Sequence, residues 1–265
     1  MLPDYLQNFN EALQKFQDKF PKGKWSVDFK ESIINDYSFY SSRIEDEKLL
    51  YGDTIKFLNN EFIRVGKLTS LLNISNHKDV LKSLLEKFED FQLTEEIVKG
   101  IHRDLMSSDL AWEVEFKPEL IGEYRNIPTV GSREPFFENK EYAPHYNLEI
   151  IMASHINLFT ARFENIDNSK QATHLLTAIS FFHNTFLNSI HPFADGNGRV
   201  CRIIMGAIMM KHNCPPIFPL ITEPEHQIEY ITTIVNCELQ KNNELLVRYF
   251  AKGMTESLLK RVNEL

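Results

Sequence analysis

The sequence predicts an all-α protein, mainly a helical bundle, that carries one small β-hairpin. Two observations support this fold class. Apolar residues recur every three or four positions through most of the chain, as they do on one face of a helix. One stretch, from Trp112 to Phe137, departs from that spacing, because glycines and prolines interrupt it and Ile127 to Val130 have an extended pattern. We therefore expect a hairpin, over about residues 114–135, to project from a helical core.

The N-terminal region, residues 1–100, is expected to consist of several helices. Ser42 is followed three residues later by Glu45, which is the spacing of a capping box. This spacing predicts that a helix begins there and occupies about residues 41–50. A polar stretch at 73–77 is expected to be a loop between two later helices.

The C-terminal region, residues 101–265, contains a polar loop between two helix-patterned segments. Pro192 ends the first of these segments, because its ring removes a backbone donor and disfavours a helical backbone before it. Gly196 and Gly198 can adopt positive φ, so the N–H groups around them can converge where the next helix begins. A nest of N–H groups at a helix N-terminus attracts anions, so we expect a phosphate-binding cradle here.

The charged residues beside this cradle suit phosphate chemistry. Arg199 and Arg202 lie three positions apart, so both can reach the same side of the first helical turn. Asp195 would repel a phosphate unless a Mg²⁺ ion lay between them, and Mg²⁺ usually takes one or two carboxylates with phosphate oxygens and water. His191 can accept a proton near neutral pH. A base, a metal carboxylate and two arginines therefore surround a site for more than one phosphate.

At these residues the sequence resembles the Fic family, whose signature is His-x-Phe-x-Asp/Glu-Gly-Asn-Gly-Arg-x-x-Arg. Every fixed position is matched between 191 and 202, by His191, Phe193, Asp195, Gly196, Asn197, Gly198, Arg199 and Arg202. The resemblance implies a helical catalytic core with a flap and C-terminal helices. It also implies transfer of AMP from ATP to a hydroxyl group of a target protein, with Mg²⁺ as cofactor and pyrophosphate as leaving group.

The resemblance further implies a role for each residue of the signature. His191 would deprotonate the attacking hydroxyl, Asp195 would hold Mg²⁺, and Phe193 would anchor the loop in the core. Arg202 would hold the terminal phosphate. The remaining phosphate contacts would come from Gly196, Asn197, Gly198 and Arg199.

Many members of the Fic family also carry an inhibitory segment, Ser/Thr-x-x-x-Glu-Gly/Asn. Ser41 and Glu45 match its first and fifth positions, whereas Asp46 departs from the usual glycine or asparagine. By this resemblance, Glu45 would pair with Arg202 and take up the arginine that the terminal phosphate needs. The resemblance therefore implies an enzyme inhibited by its own N-terminal region.

Two further resemblances concern the flap and the nucleotide. The run from Gly122 to Arg125 resembles the Gly-x-Tyr/Phe-Arg that opens the flap, which in the family holds the target segment by main-chain pairing. The predicted target-binding residues are Tyr124, Arg125, Ile127, Thr129 and Val130. Tyr230 resembles the aromatic residue that the family places near the nucleotide, while His183 is expected to be a buried packing residue.

Composition limits the partners and the setting. The formal net charge is −8 and no basic cluster stands out, which argues against binding to nucleic acid or to an anionic membrane. Three widely spaced cysteines and a first stretch without a leader-like pattern favour a cytoplasmic protein. Self-modification and oligomerisation are both compatible with the sequence.

Other functions are compatible with the same residues. Removal of AMP from a modified protein would use Glu45 to orient water, and kinase-type transfer is disfavoured because the Gly-Asn-Gly-Arg stretch is intact. The chain could also be a catalytically silent module that senses a nucleotide. A purely structural helical domain would leave the polar loop unexplained.

Overall fold

The computed structural model describes most of the chain. The described ranges are 2–21, 24–45, 49–59, 61, 68–107, 118–133, 137–163 and 171–264. These residues form ten α-helices and a two-stranded antiparallel sheet. This confirms the predicted all-α fold class with a small hairpin.

The hairpin lies between the fifth and sixth of the ten helices. They are α1 (Asp4–Lys19), α2 (Val27–Arg43), α3 (Tyr51–Leu58), α4 (Leu68–Lys87), α5 (Glu95–Leu105), α6 (Leu148–Phe163), α7 (Gln171–His183), α8 (Asn197–Lys211), α9 (Pro224–Leu239) and α10 (Glu244–Glu264). Between α7 and α8, Asn184–Ile190 form a π-helical segment. Such segments are rare and often lie at functional sites.

Helix α8 lies at the centre of the fold. Thirteen of its 15 residues are buried, and it packs against α2, α4, α5 and α7. A helix enclosed on nearly all sides needs apolar residues around its whole circumference, which the run from Val200 to Met210 supplies apart from Arg202. The first two turns of α8, which carry the two signature arginines, are thereby fixed relative to the core.

The hairpin lies further along the chain than the sequence predicts. Its strands are β1 (Val130–Arg133) and β2 (Phe137–Glu141), whereas the predicted range was about 114–135. The part around Gly122 forms a turn instead, with φ +77°, and its N–H donates to His102 on α5. This contact fixes the turn against a helix, so the segment does not pair as a strand.

The helix start predicted at Ser42 is wrong, and residues 46–48 of the predicted range 41–50 lie outside the described residues. Helix α2 ends at Arg43, so Ser42 lies in its last turn and Glu45 lies just beyond it. The Glu45 N–H donates to the Ser42 carbonyl and so closes the end of the helix rather than its beginning. The N-cap of α2 is Ser26, fifteen residues before Ser41. The capping-box spacing thus occurs at the wrong end of a helix.

One further prediction differs from the structure, and two others concern residues that the structure does not describe. The loop predicted at 73–77 is wrong, because α4 is continuous through it. Two of its polar side chains bond other helices: Asn76 donates to the Leu105 carbonyl over 3.0 Å, and His77 bonds Ser38 and Ser41. Asp46 and residues 114–117 lie outside the described residues.

A single hydrophobic core joins the N-terminal helices to the rest. It includes residues of α1 and α2 as well as of α7, α8 and α10. The three cysteines are free and buried within it. None of the described helices is long and apolar enough to cross a membrane.

Candidate active site

The predicted base, His191, directly follows the π-helical segment. Its backbone is left-handed, with φ +50°, a conformation that is uncommon outside glycine and often marks functional positions. Its Nδ1 lies 3.1 Å from the Leu187 carbonyl. A carbonyl only accepts hydrogen bonds, so Nδ1 carries the proton and Nε2 keeps the lone pair that a base needs. The ring also stacks on Tyr142, with the centroids 4.2 Å apart.

Arg125 donates hydrogen bonds to the backbone at His191 and around it. Its side chain is buried, with 2% exposed, and it donates to four carbonyls. These belong to His191 at 2.8 Å, Ile127 at 3.1 Å, Ala143 at 2.5 Å and Ile190 at 3.2 Å. Burial lowers the pKa of Arg125 below its ordinary value. The guanidinium therefore joins both ends of the flap segment to the start of the signature loop.

Two of the residues predicted to bind a target are placed elsewhere by the structure. Tyr124 and Arg125 are 8% and 2% exposed, so neither presents a surface to another protein. They are buried because they form the support of the signature loop, which the local sequence pattern does not reveal. Ile127 is 43% exposed, Thr129 is half-buried and Val130 begins β1. These three remain predicted target contacts.

We expect Arg125→Met to destabilise the protein by about 3–5 kcal/mol, because several buried carbonyls lose a charged donor. Urea unfolding measures this loss. The matched control is Arg248→Met, since Arg248 is exposed and its contacts are a long ion pair with Glu244 and a cation–π contact with Tyr5. The control should change the free energy of unfolding by less than about 1 kcal/mol. Equal losses for the two variants would contradict the role given to Arg125.

Phe193 fixes the middle of the loop, as predicted. Its ring is fully buried and stacks on His102 with a centroid distance of 3.9 Å and an interplanar angle of 2°. The Asn197 amide bonds both the N–H and the carbonyl of Phe193, so its side chain is committed to the loop. Its backbone N–H, in the first turn of α8, is available for the predicted phosphate contact.

His102 joins α5 to the loop. Its Nδ1 accepts from the Gly122 N–H at 2.8 Å, so Nε2 carries the proton and donates to the Asp195 carbonyl at 3.2 Å. Burial, with a smaller contribution from the charge of Arg199, lowers the pKa of His102 to about 4. His102 is therefore neutral at physiological pH and acts as a packing residue.

The two glycines of the cradle are needed for different reasons. Gly196 caps α8 with φ +73°, where a side chain would be strained. A Cβ on Gly198 would lie 2.5 Å from the Glu45 Oε1 and 2.8 Å from one Arg202 nitrogen. The N-cap of α8 is Gly196, which has no side chain to accept from the N–H groups of the first turn. These groups have no acceptor within the helix, and they face the cradle.

Asp195 and Arg199 stand beside this cradle. The Asp195 side chain is 60% exposed and one carboxylate oxygen lies 3.4 Å from the Arg199 guanidinium. Within the described ranges, no three His, Cys, Asp or Glu side chains are grouped so that they could hold a metal ion by themselves. A single exposed carboxylate beside a phosphate cradle fits Mg²⁺, because that ion shares its coordination with phosphate oxygens and water.

The predicted contact between Arg202 and Glu45 is present. The guanidinium donates to the Glu45 Oε1 over 2.6 Å, and the side chains are 1% and 49% exposed, respectively. Burial alone would raise the pKa of Glu45, but the charge of Arg202, with smaller contributions from Arg199 and His191, holds it below its ordinary value. The Glu45 carboxylate thus occupies the side of Arg202 that faces Gly198.

This lowered pKa predicts how the contact depends on pH. A carboxylate whose pKa is lower in the folded state stabilises that state above its unfolded pKa, and the contribution disappears as the pH falls through the folded value. The stability difference between the wild type and Glu45→Gln should therefore be constant from about pH 8 to about pH 5, decrease once the pH falls below the unfolded pKa of about 4.3, and vanish below the lowered folded pKa. Urea unfolding at each pH measures it. A difference that disappears near pH 6 would contradict an ionised pair.

Tyr230 does not line the cradle, contrary to the predicted contact with the nucleotide. It lies on α9 with 2% of its surface exposed, and its hydroxyl bonds the His183 Nε2 over 2.6 Å. The hydroxyl is also a hydrogen-bond partner of Arg202, and burial raises the pKa of Tyr230 to about 12. Tyr230 therefore supports Arg202 from the core. His183 is buried, as expected.

Sequence reasoning missed two residues that contact the predicted inhibitory segment. Gln227 on α9 donates to the Ile44 carbonyl over 2.7 Å, and His77 on α4 bonds Ser41 and Ser38. The two serines lie three positions apart on α2, a spacing that places both hydroxyls on one helix face. That spacing was the sequence signal for a polar partner, but it could not say which residue the partner was.

Comparison with known proteins gives a consistent result. Residues 92–209 match the Fic/DOC family model. The protein adenylyltransferase fic-1 of Caenorhabditis briggsae is 26% identical over 235 residues, which are 84% of this chain and 40% of that protein. The protein adenylyltransferase Fic of Aedes aegypti is 32% identical over 103 residues, 38% of this chain and 19% of that protein. The chain thus spans less than half the length of these relatives.

Solved structures share the fold. A Fic domain-containing signaling protein from Bacteroides thetaiotaomicron superposes with a TM-score of 0.76 at 18% identity, covering 96% of this chain and 95% of that one. Fic-1 from C. elegans, residues 134–508, gives a TM-score of 0.72 at 19% identity, covering 98% and 72%. At these identities the likeness shows the fold alone.

Proposed function

The chain carries a Fic/DOC family domain over residues 92–209, and from this premise we propose that it is a protein adenylyltransferase that uses ATP. The observation that carries the proposal is the juxtaposition at the N-terminus of α8. There, His191 with a lone pair on Nε2, the cradle of backbone N–H groups and the buried Arg202 surround one space. Relatives named protein adenylyltransferase support the same activity.

The proposed reaction is a single group transfer. Nε2 of His191 takes the proton from a hydroxyl of the target, whose oxygen then bonds to the α-phosphorus of ATP. The bond from that phosphorus to the bridging oxygen breaks, and pyrophosphate leaves with the electron pair. Positioning and charge neutralisation supply most of the catalysis in such transfers. The N–H groups around Gly198, together with Arg199 and Arg202, would bind the phosphates.

Mg²⁺ is the proposed cofactor, and Asp195 would hold it. The ion would neutralise phosphate charge, as divalent cations do in other phosphoryl transfers. The exposed carboxylate at the edge of the cradle supports this assignment. Asp195→Asn should weaken Mg²⁺-dependent binding of ATP.

We also propose that the enzyme is autoinhibited. While Glu45 pairs with Arg202, the arginine is not available to the terminal phosphate, so ATP would bind in a less productive pose. The 2.6 Å contact and the packing of both groups over Gly198 support this proposal.

Removal of AMP from a modified protein is a second candidate function. It is favoured by one observation, which is that the Glu45 carboxylate is half-exposed and lies close enough to His191 for the two groups to interact. A carboxylate in that position could orient a water molecule toward a phosphodiester.

The target would be another protein or the chain itself. Two solved structures at 14% identity share the fold. They contain IbpAFic2, in one covalently tethered to Cdc42 and in the other in complex with adenylylated Cdc42, so this protein of the same fold binds another protein. The half-exposed Ile127 and Thr129 beside β1 are the proposed contacts for a target segment. Three buried free thiols support a cytoplasmic setting. An oligomer is compatible with this proposal.

The test uses ATP labelled on either the α- or the γ-phosphate, with Mg²⁺ and a cytosolic extract. Wild type, Glu45→Gly and Glu45→Gly with His191→Ala are compared. We expect α-label on protein with Glu45→Gly, little with the wild type and none with the double variant. Transfer of γ-label instead would indicate kinase-type chemistry. ATP binding without any transfer would leave a nucleotide-sensing module. Loss of label from a modified protein on adding wild type would indicate AMP removal.

A further inference from the structure

A fully buried chain of polar side chains leads from Arg202 away from the cradle. The Arg202 Nε donates to the Ser41 Oγ over 2.8 Å. The Ser41 Oγ lies 3.0 Å from the His77 Nε2, and the His77 Nδ1 lies 3.1 Å from the Ser38 Oγ. Ser38, Ser41 and His77 have no exposed surface. We call Ser41 and His77 the arginine support.

The hydrogens in this chain can be assigned from its chemistry. A guanidinium only donates, so Ser41 accepts from Arg202 and can direct its own hydrogen to the His77 Nε2. His77 then carries its proton on Nδ1 and donates it to Ser38. Burial, with smaller contributions from Arg202 and Arg199, lowers the pKa of His77 to about 3, so the ring is neutral. Each of these contacts therefore has one donor and one acceptor.

The two contacts that α2 and its end make with the Arg202 guanidinium differ in kind. Ser41 is helical and fully buried, and it binds Nε on one side of the guanidinium. Glu45 lies beyond the end of the helix, is half-exposed, and binds a terminal nitrogen on the side that faces Gly198. Removing the Glu45 carboxylate would therefore free the side that faces the cradle and leave the contact with Ser41 intact.

We propose that Ser41 and His77 are positioning residues that hold Arg202 in the orientation needed for the terminal phosphate of ATP. The proposal rests on the proposed binding of that phosphate by Arg202. The proposal assigns different roles to two residues of one short segment. Glu45 occupies the side of Arg202 that the phosphate needs, whereas Ser41 holds the guanidinium in its orientation. Substitutions at the two positions should thus have opposite effects. If Ser41 belonged to the inhibition alone, its removal would activate the enzyme as the removal of Glu45 does.

The experiment adds Ser41→Ala or His77→Gln to the Glu45→Gly protein and measures the affinities for ATP and AMP. AMP lacks the terminal phosphate, so only ATP reports on Arg202. We expect Ser41→Ala to weaken ATP binding about tenfold, as for loss of a hydrogen bond to a charged group, and to leave AMP binding unchanged. His77→Gln should have a smaller effect in the same direction, because its amide can also bond Ser41.

Ser42→Ala is the matched control. Ser42 is the next residue of α2 and is buried, yet its hydroxyl has no hydrogen-bond partner among the described residues. It should leave both affinities unchanged. Thermal unfolding of every variant shows whether it is folded, and His77→Gln serves if Ser41→Ala is not.

Three results would overturn the proposal. They are unchanged ATP binding, tighter ATP binding, and an equal loss of ATP and AMP binding in a folded variant. Failure of the proposed function is distinguishable, because it would show as ATP binding without transfer of the α-label by Glu45→Gly. The ratio of ATP to AMP affinity tests the arginine support in either case.

Discussion

Glu45→Gly is expected to increase adenylyl transfer by about ten- to a hundredfold at low ATP concentration. The substitution removes the carboxylate that contacts Arg202 over 2.6 Å, so the guanidinium can bond the terminal phosphate. Hydrogen bonds to charged groups contribute about 1.5–3 kcal/mol, which corresponds to that range. Initial rates of transfer from α-labelled ATP, together with ATP affinity from calorimetry, measure the effect.

Glu45→Gln is the matched control for charge. It keeps the length of the side chain and an oxygen that can accept from Arg202, but it removes the ion pair. We expect activation intermediate between the wild type and Glu45→Gly. If neither variant differs from the wild type in rate or in affinity, the contact with Arg202 is structural and the autoinhibition proposal fails.

His191→Ala in the activated protein is expected to lower the rate of transfer by about a hundredfold to ten thousandfold. This is the usual contribution of a general base. ATP affinity should remain within about twofold, since the base interacts with the target hydroxyl rather than with the phosphates. Single-turnover transfer and equilibrium binding measure the two quantities separately.

Tyr142→Phe is the control for this prediction. Tyr142 stacks on the His191 ring at a centroid distance of 4.2 Å, and phenylalanine keeps that ring. Its transfer rate should stay close to that of the activated protein. A His191→Ala protein that still transfers the α-label at a comparable rate would show that the base is another group.

Local chemistry made the signature loop predictable. His191, Asp195 and Arg199 lie within nine consecutive residues, so one turn of chain and one helix start place them around the same space. Gly196 and Gly198 are needed there because of positive φ at the first and lack of room at the second. Such requirements leave a pattern in the sequence, since few other residues satisfy them.

Residues whose partners are distant in the chain were predicted less well. The sequence pattern predicts that Arg125 belongs to a surface flap. In the structure it is buried, and the carbonyls of residues 127, 143 and 190 accept hydrogen bonds from it. The polar residues at 73–77 were predicted to form a loop, but they are helical, and Asn76 and His77 among them bond residues of α5 and α2. A propensity scale cannot foresee either result, since long-range contacts override local preference.

The sequence by itself determined the all-helical class, the position of the signature loop and the likeness to the Fic family. It could do so because helical periodicity and loop chemistry depend on neighbouring residues. Only the tertiary structure decided where α2 ends, that Tyr230 supports Arg202 from the core, and that His77 reaches Ser41. These features depend on how α2, α4, α8 and α9 pack together. A buried polar group needs a hydrogen-bond partner within the protein, so the packing determines which groups bond each other.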